Sequence, residues 1–243
     1  MMKGKIWKLL IISSILLIII VVSIIYINDY YRAEKKALEC INNPSDGITV
    51  TRDKDIIYFQ PEDDIKAGII FYPGGKVEAE SYAPLMEAIA QKDIMAILIE
   101  MPANLAVLDI NAAEGILEKY PDIDKWYMAG HSLGGSMAAS YLGSTEDSFD
   151  GLILLASYST EDLSDCDIEV LSIYGDRDSV LNMNKYNSNT CNLPSDYKEI
   201  VVEGGCHAYF GCYGLQDGDG KATITNEEQI KITSEEIESF VDN

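Results

Sequence analysis

The stretch Lys125-Trp126-Tyr127-Met128-Ala129-Gly130-His131-Ser132-Leu133-Gly134-Gly135-Ser136-Met137 decides the fold of this chain. Its first part is a short apolar run of the kind that forms a buried strand. Its last part, continuing through Met137 to Leu142, favours a helix. Between them lies Gly130-His131-Ser132-Leu133-Gly134, a G-x-S-x-G sequence. A strand that turns sharply into a helix needs small residues on both sides of the turn. The residue at its tip is then held clear of the backbone with a helix N-terminus behind it. Ser132 occupies that tip.

Working outward, short apolar runs alternate with helical patterns. Ile48-Thr49-Val50-Thr51 and Ile56-Ile57-Tyr58-Phe59 predict an antiparallel opening pair. Ala67–Tyr72, Ile94–Ile99, Trp126–Ala129, Leu152–Leu155, Val170–Tyr174 and Tyr197–Val202 read as further strands. Helical patterns cover Tyr82–Lys92, Leu108–Tyr120, the segment after Gly130, and Glu227–Val241. Near-continuous apolar strands separated by helices predict an α/β fold, a mostly parallel sheet covered on both faces. The stretch between Ser132 and Asp178 is consumed by one helix and two strands, which leaves no room for a lid domain.

Two further segments complete a chemical constellation. A serine hydroxyl needs a base to become a nucleophile. The chain has only two histidines. His131 adjoins Ser132 on a tight turn and points elsewhere, so it reads as packing around the turn. His207, in Gly204-Gly205-Cys206-His207-Ala208 after the last strand, is left as the base. Active sites of open α/β sheets collect at that strand edge. A carboxylate must orient the histidine, and both Asp176 and Asp178 lie in the loop after Val170–Tyr174. An oxyanion needs two converging backbone N–H groups. Leu133 supplies one, and Gly75 or Lys76, in Tyr72-Pro73-Gly74-Gly75-Lys76, supplies the other.

These segments resemble the α/β-hydrolase superfamily, and more narrowly the bacterial alpha/beta hydrolase fold-5 family. That family is a relative of dienelactone hydrolases with Ser as nucleophile in place of Cys. The resemblance rests on Phe71-Tyr72-Pro73-Gly74-Gly75, Met101-Pro102-Ala103-Asn104-Leu105-Ala106, the Ser132 turn, Tyr174-Gly175-Asp176-Arg177-Asp178, and Gly204 through Gly214, and it covers residues 48–243. The nucleophile, acid, base order Ser132, Asp178, His207 is the one the superfamily uses. The family spacing, Gly and two residues before the acid, implies Asp178 as acid with Asp176 as the alternative. It implies a serine hydrolase of carboxylic esters or related acyl compounds, working through an acyl-enzyme on a small substrate without a cofactor or metal. Acyl transfer to an acceptor other than water uses the same residues. A catalytically silent binding or scaffold domain uses the same fold.

The resemblance also has a departure. Family members carry Asn before the histidine and a polar residue five positions after it, where this chain has Cys206 and Cys212. That double change implies a disulfide, with Cys166 and Cys191 bracketing the Asp178 segment as a second pair. Four cysteines allow three connectivities, and reduced buried thiols are the alternative. Cys40 is left over. The five cysteines show no paired C-x-x-C spacing, which excludes a zinc-finger scaffold. Asp217-Gly218-Asp219-Gly220-Lys221 resembles a calcium loop, but placing Gly220 sixth puts Leu215 first and Asn226 twelfth. Neither fits, so the segment reads as a solvated turn.

The N-terminus adds a different signal. Leu9 to Ile27 carries no charge, and as a helix it spans about 28 Å, close to a bilayer core of about 30 Å. No small-residue cleavage pattern follows it, so it predicts an uncleaved single-pass anchor over residues 1–28 rather than a signal peptide. Residues 29–47 read as a stalk and 48–243 as the catalytic domain. Lys3, Lys5 and Lys8 before the span are nearly matched by Arg32, Lys35 and Lys36 after it. All 40 Asp and Glu lie beyond the span, against 18 Lys and Arg in the whole chain, for a net charge of −22. That balance predicts an exported globule facing away from the anionic inner leaflet, and an oxidising compartment permits disulfides. It excludes nucleic-acid binding, which needs clustered basic residues. Tyr26, Tyr30 and Tyr31 fit an interfacial belt.

Overall fold

The computed structural model describes residues 2–145 and 147–243, in two units that divide after Tyr30. The first is built on helix α1 (Met2–Asn28). Its window Ile11–Asn28 has a mean hydropathy of 2.7 and none of it is buried within the chain. The helix is long and apolar enough to cross a membrane.

The second unit is an eight-stranded sheet, formed by β1 (Ile48–Asp53), β2 (Ile56–Pro61), β3 (Ala67–Tyr72), β4 (Ile94–Ile99), β5 (Trp126–His131), β6 (Gly151–Leu155), β7 (Glu169–Gly175) and β8 (Lys198–Val202). The spatial order is β1-β2-β4-β3-β5-β6-β7-β8. β1 and β2 run antiparallel to their neighbours, and every pair from β4 to β8 is parallel. Every residue of β3, β4, β5 and β6 is buried, as continuous apolar runs require when helices cover both faces. The period of two then sorts each strand between two cores. Ile69 and Phe71 face α3 (Ala83–Ala90) and α6 (Asn226–Val241), while Ile70 and Tyr72 face α4 (Leu133–Leu142).

Two expectations are corrected. The helix expected over Leu108–Tyr120 is replaced by short 3₁₀ turns at Ala106–Leu108 and Leu117–Lys119. The Tyr72 hydroxyl donates to the Ile110 carbonyl (2.7 Å) and accepts the Ala113 N–H (3.0 Å), taking two backbone groups that a helix would use. Gly115, at φ 72°, then turns the chain. The stalk expected over residues 29–47 is not free-standing. Tyr31 pairs with Val77 in a parallel bridge, donating to the Lys76 carbonyl (2.8 Å) and accepting from Glu78 N–H (2.9 Å). The Glu34 N–H donates to the Cys212 carbonyl (2.9 Å). α2 (Lys35–Asn42) buries Ala37 completely and turns Lys35 and Glu39 to solvent as an i,i+4 pair. The folded unit therefore begins at Tyr31. One element, α5 (Met183–Asn189), has no counterpart in the sequence reading; Asn182 caps it by accepting the Lys185 N–H at 3.0 Å.

Because residues 31–42 pack on the globule, removing them should cost stability. A chain starting at Tyr30 is expected to unfold cooperatively in urea. One starting at Pro44 should be less stable by roughly 2–4 kcal/mol, from lost burial and lost hydrogen bonds. Equal midpoints for the two truncations would contradict the docking of α2.

Candidate active site

β5 delivers Ser132 to the tip of a turn, at φ 52° and ψ −120°, a conformation costing about 1–3 kcal/mol for a residue with a Cβ. Three glycines make the turn sterically possible. A Cβ at Gly134 would lie 2.2 Å from the Tyr72 carbonyl oxygen, one at Gly130 2.5 Å from the Gly134 carbonyl carbon, and one at Gly135 2.7 Å from the Gly130 oxygen. Hydrogen bonds hold the strained residue on both sides. The Ser132 N–H donates to the Leu155 carbonyl (2.9 Å), and the Ser157 hydroxyl donates to the Ser132 carbonyl (2.6 Å). Ser136 braces the same corner by donating to the Tyr158 carbonyl at 2.7 Å.

His207 follows β8 on a loop held by Gln229, which is fully buried. The Gln229 side chain accepts the Cys206 N–H (2.9 Å) and donates to the Cys206 carbonyl (2.8 Å). The His207 Nδ1 lies 2.8 Å from Asp178 Oδ2, with both side chains 1% exposed. The other Asp178 oxygen accepts the Val180 and Leu181 N–H groups, each at 2.8 Å. This fully hydrogen-bonded carboxylate fixes the imidazole as the Nδ1–H tautomer and turns Nε2 away from it. Asp176 does not reach the histidine. It is half-exposed, accepts the Gly204 N–H (2.7 Å) and pairs with Arg177 (3.5 Å), so it braces the base of the histidine loop.

Ser132, Leu133 and His207 line one cleft of about 250 Å³, with Ala156, Val180 and Leu181 forming apolar wall. His207 Nε2 is buried and has no hydrogen-bond partner among the described residues, so no Ser132–His207 bond is made here. Such bonds tighten when a substrate enters. Of the two residues expected beside Leu133, Lys76 is excluded, because its N–H donates to the Asn104 carbonyl at 2.8 Å. Gly75 remains. A Cβ there would lie 2.8 Å from Leu133 Cδ2, so the Leu133 side chain packs directly against the Gly75 backbone.

The second histidine does more than fill space. His131 is 1% exposed, and its ring centroid is 4.5 Å from that of His207. The Tyr82 hydroxyl accepts the Gly74 N–H (3.0 Å) and shares a hydrogen bond with His131 Nδ1 (2.8 Å). Burial, followed by the neighbouring His207, pushes His131 well below the usual histidine range and keeps it neutral.

The expected disulfides are absent. All five cysteines are free. Burial and then the Asp219 carboxylate push the Cys206 thiol up to about 12. The Cys212 thiol donates to Glu34 (3.5 Å) and is pushed up to about 11 by burial and then by that carboxylate. The two thiols are thus turned to different acids, while Cys166 and Cys191 are exposed on the surface. Cys40 is half-buried beside Glu87, and burial first raises it to about 12. The Asp217–Lys221 segment is not a freely solvated turn either, since Asp219 accepts backbone N–H groups of the loops that carry Asp178 and His207. Among the described residues there is no group of three or more His, Cys, Asp or Glu that could hold a metal ion. Sequence reasoning missed Tyr82, Ser157, Gln229 and Asp219. Only Gln229 left a signal, as a polar residue in phase with the apolar stripe Ile230, Thr233 and Ile237.

Residues 68–231 match the model of a family described as the alpha/beta hydrolase family. No curated protein matches the chain. Among solved structures it is similar to carboxyl esterase 2 from Tuber melanosporum, with a TM-score of 0.61 and 13% identity, over 87% of this chain and 91% of that one. It is similar to the dienelactone hydrolase from Anabaena variabilis, with a TM-score of 0.58 and 13% identity, over 78% and 96%. It also resembles Est1E from Butyrivibrio proteoclasticus, with a TM-score of 0.55 and 14% identity, over 80% and 97%. At these identities the likeness is one of fold.

The neutral, buried His131 makes stability depend on pH. Below the ordinary histidine value of 6.5 the unfolded chain takes up a proton that folded His131 refuses. Stability therefore rises toward neutral pH and falls below 6.5, with a limiting slope of about 1.4 kcal/mol per pH unit and a drop of about 1 kcal/mol between pH 6.5 and 5.5 from this group. Urea unfolding of the detergent-solubilised chain at pH 6.5 and 5.5 should show that drop. His131→Asn, which removes the titrating ring, should show a smaller one by about this amount. Equal slopes would mean that His131 is protonated in the folded state.

Proposed function

The chain belongs to the alpha/beta hydrolase family, and from that premise we propose that it is a serine hydrolase of carboxylic esters or related acyl compounds. One observation carries the reading. His207, bonded to the buried Asp178 and with Nε2 unpartnered among the described residues, lines the same cleft as Ser132. Ser132 Oγ attacks the substrate carbonyl while His207 Nε2 takes its proton. Asp178 keeps Nδ1 protonated and stabilises the imidazolium. The Leu133 and Gly75 N–H groups hold the tetrahedral oxyanion. His207 returns the proton to the departing alcohol, leaving an acyl-enzyme on Ser132. A water, deprotonated by His207, then releases the acid by the same route. The cleft of about 250 Å³ suits a small acyl group. The carboxyl esterase among the structural neighbours supports ester chemistry. Acyl transfer would replace that water with another acceptor. A silent domain would have no need of a buried, fully hydrogen-bonded carboxylate–histidine pair.

We further propose that α1 anchors the enzyme in a bilayer as a single pass, with the catalytic unit on the outer side. The apolar window of α1 and the acidic balance beyond it support this.

Ser132→Ala should lower kcat on p-nitrophenyl acetate by about 10⁴–10⁶ without loss of fold. Asp178→Asn should cost about 10⁴ through the wrong histidine tautomer, and Asp176→Asn far less. Comparable losses for the two aspartates would move the acid's role. For the anchor, the full chain should stay with membranes after a carbonate wash, and protease added to intact cells should digest the catalytic unit. Soluble, shortened protein would identify α1 as a cleaved signal, and protease protection would place the unit inside.

A further inference from the structure

The residues that hold Asp178 and His207 at bonding distance lie on separate loops. The first follows β7 and the second follows β8. Three links join the loops near their bases: the Arg177 N–H to the Gly205 carbonyl (2.9 Å), the Gly204 N–H to Asp176 (2.7 Å), and the Asp178–His207 pair itself. A fourth contact comes from outside both loops. Asp219 Oδ2 accepts the Ala208 N–H at 2.9 Å, and Asp219 Oδ1 accepts the Ser179 N–H at 3.3 Å. Ala208 is the residue after His207, and Ser179 is the residue after Asp178. One carboxylate therefore spans the two positions that immediately follow the acid and the base.

The surrounding backbone is built for this contact. The Gly220 N–H donates to Asp219 Oδ1 at 2.7 Å, fixing the carboxylate's rotation. A Cβ at Gly220 would lie 1.7 Å from the Arg177 carbonyl oxygen, so only glycine lets this turn press against the acid loop. Gly218, at φ 82°, supplies the left-handed residue that closes the turn. The Cys206 thiol lies against the same carboxylate, one residue before His207. Ala208 is fully buried, so its N–H has no access to water in place of Asp219.

We propose that Asp219 is a positioning residue, which sets the spacing of Asp178 and His207 by gripping the backbone one residue beyond each. It touches neither the substrate nor the reacting atoms. The proposal rests on the serine-hydrolase reading for its kinetic consequences, but the geometry of the Asp178–His207 pair can be read without any substrate. An asparagine at this position accepts one of the two N–H groups and turns its own NH₂ toward the other. Alanine frees both loops. A displacement of about 1 Å in a reacting group is enough to cost on the order of 10²-fold in rate.

The test uses the full chain in mild detergent, with Asp219→Asn and Asp219→Ala compared with wild type. Three quantities are measured: kcat and KM on p-nitrophenyl acetate, the rate of Ser132 labelling by a fluorophosphonate, and the far-downfield NMR resonance of the His207 Nδ1 proton. Circular dichroism checks the fold. The expected result is native dichroism, KM within about twofold, and kcat and labelling rate both lower by about 10- to 100-fold. The Nδ1 resonance should broaden or shift, more in the alanine variant. A wild-type resonance with wild-type kcat in both variants would overturn the proposal. So would loss of the fold in both, which would make Asp219 a stability residue only. A wild-type chain that shows the resonance but neither hydrolyses ester nor takes the probe would refute the serine-hydrolase reading, and the resonance would still decide the role of Asp219.

Discussion

The contact of Gly134 with the Tyr72 and Pro73 carbonyls governs the rest of the molecule. With a Cβ at Gly134 these atoms would lie 2.2 and 2.3 Å apart, so α4 sits against the end of β3 only because nothing projects from residue 134. That approach forces the chain between β5 and α4 to turn within one residue, and Ser132 takes the strain at φ 52°. It also pins the loop after β3 beside the first turn of α4, which brings Gly75 next to Leu133. The strained serine and the packing of Leu133 against Gly75 thus follow from a single steric demand. The hydrogen bonds from Ser132 N–H to Leu155 and from Ser157 to the Ser132 carbonyl offset the strain locally.

The other half of the site obeys a different constraint. Burying a carboxylate and an imidazole at 1% exposure is costly unless each polar atom finds a partner. Asp178 meets that demand with three donors: the His207 ring and the Val180 and Leu181 N–H groups. His207 keeps Nε2 without a partner among the described residues, and the residue lines the cleft. His131 could have been a competing base or a competing charge beside it. Burial and then the neighbouring His207 leave it neutral, so a protonated His207 meets a ring and not a second cation.

The features legible in the sequence were those set by local or face-wide rules. β3 to β6 are buried on both faces and read as unbroken apolar runs. The elbow reads from its glycines, and the sheet edge places His207. The segment over Leu108–Tyr120 misled because its helical pattern is overruled by one hydroxyl, that of Tyr72, from a strand far earlier in the chain. The segment from Tyr31 to Asn42 looked like a stalk because Glu34, Lys35, Lys36 and Glu39 hide the small buried face centred on Ala37. The two cysteines around His207 implied a bridge, but side-chain direction decides pairing, and each thiol is turned to a different acid. Asp219 was invisible for a related reason. Its partners lie 11 and 40 residues away, and a Gly-Asp-Gly triplet on its own looks like any surface turn.

The acidic surplus has a structural consequence at the closing helix. α6 carries most of its charge as Glu, and four lysines from separate segments reach its length: Lys36 to Glu227, Lys198 to Glu236 (3.0 Å), Lys92 to Glu238 (2.8 Å), and Lys66 to Asp242 just past its end (2.7 Å). Each pair is part-exposed and contributes on the order of 0–1 kcal/mol. The docking energy of α6 comes instead from Ile230, Ile237 and Phe240, which are buried in the core shared with α3. The ion pairs act on register. Apolar packing tolerates a helix that slides or rotates slightly, but lysines arriving from four directions do not. Register matters here because Gln229, one residue before Ile230, holds both backbone groups of Cys206. A shift of α6 along its axis would therefore move the loop that carries His207. In this chain the surface charge pattern and the Asp178–His207 geometry meet in one buried amide.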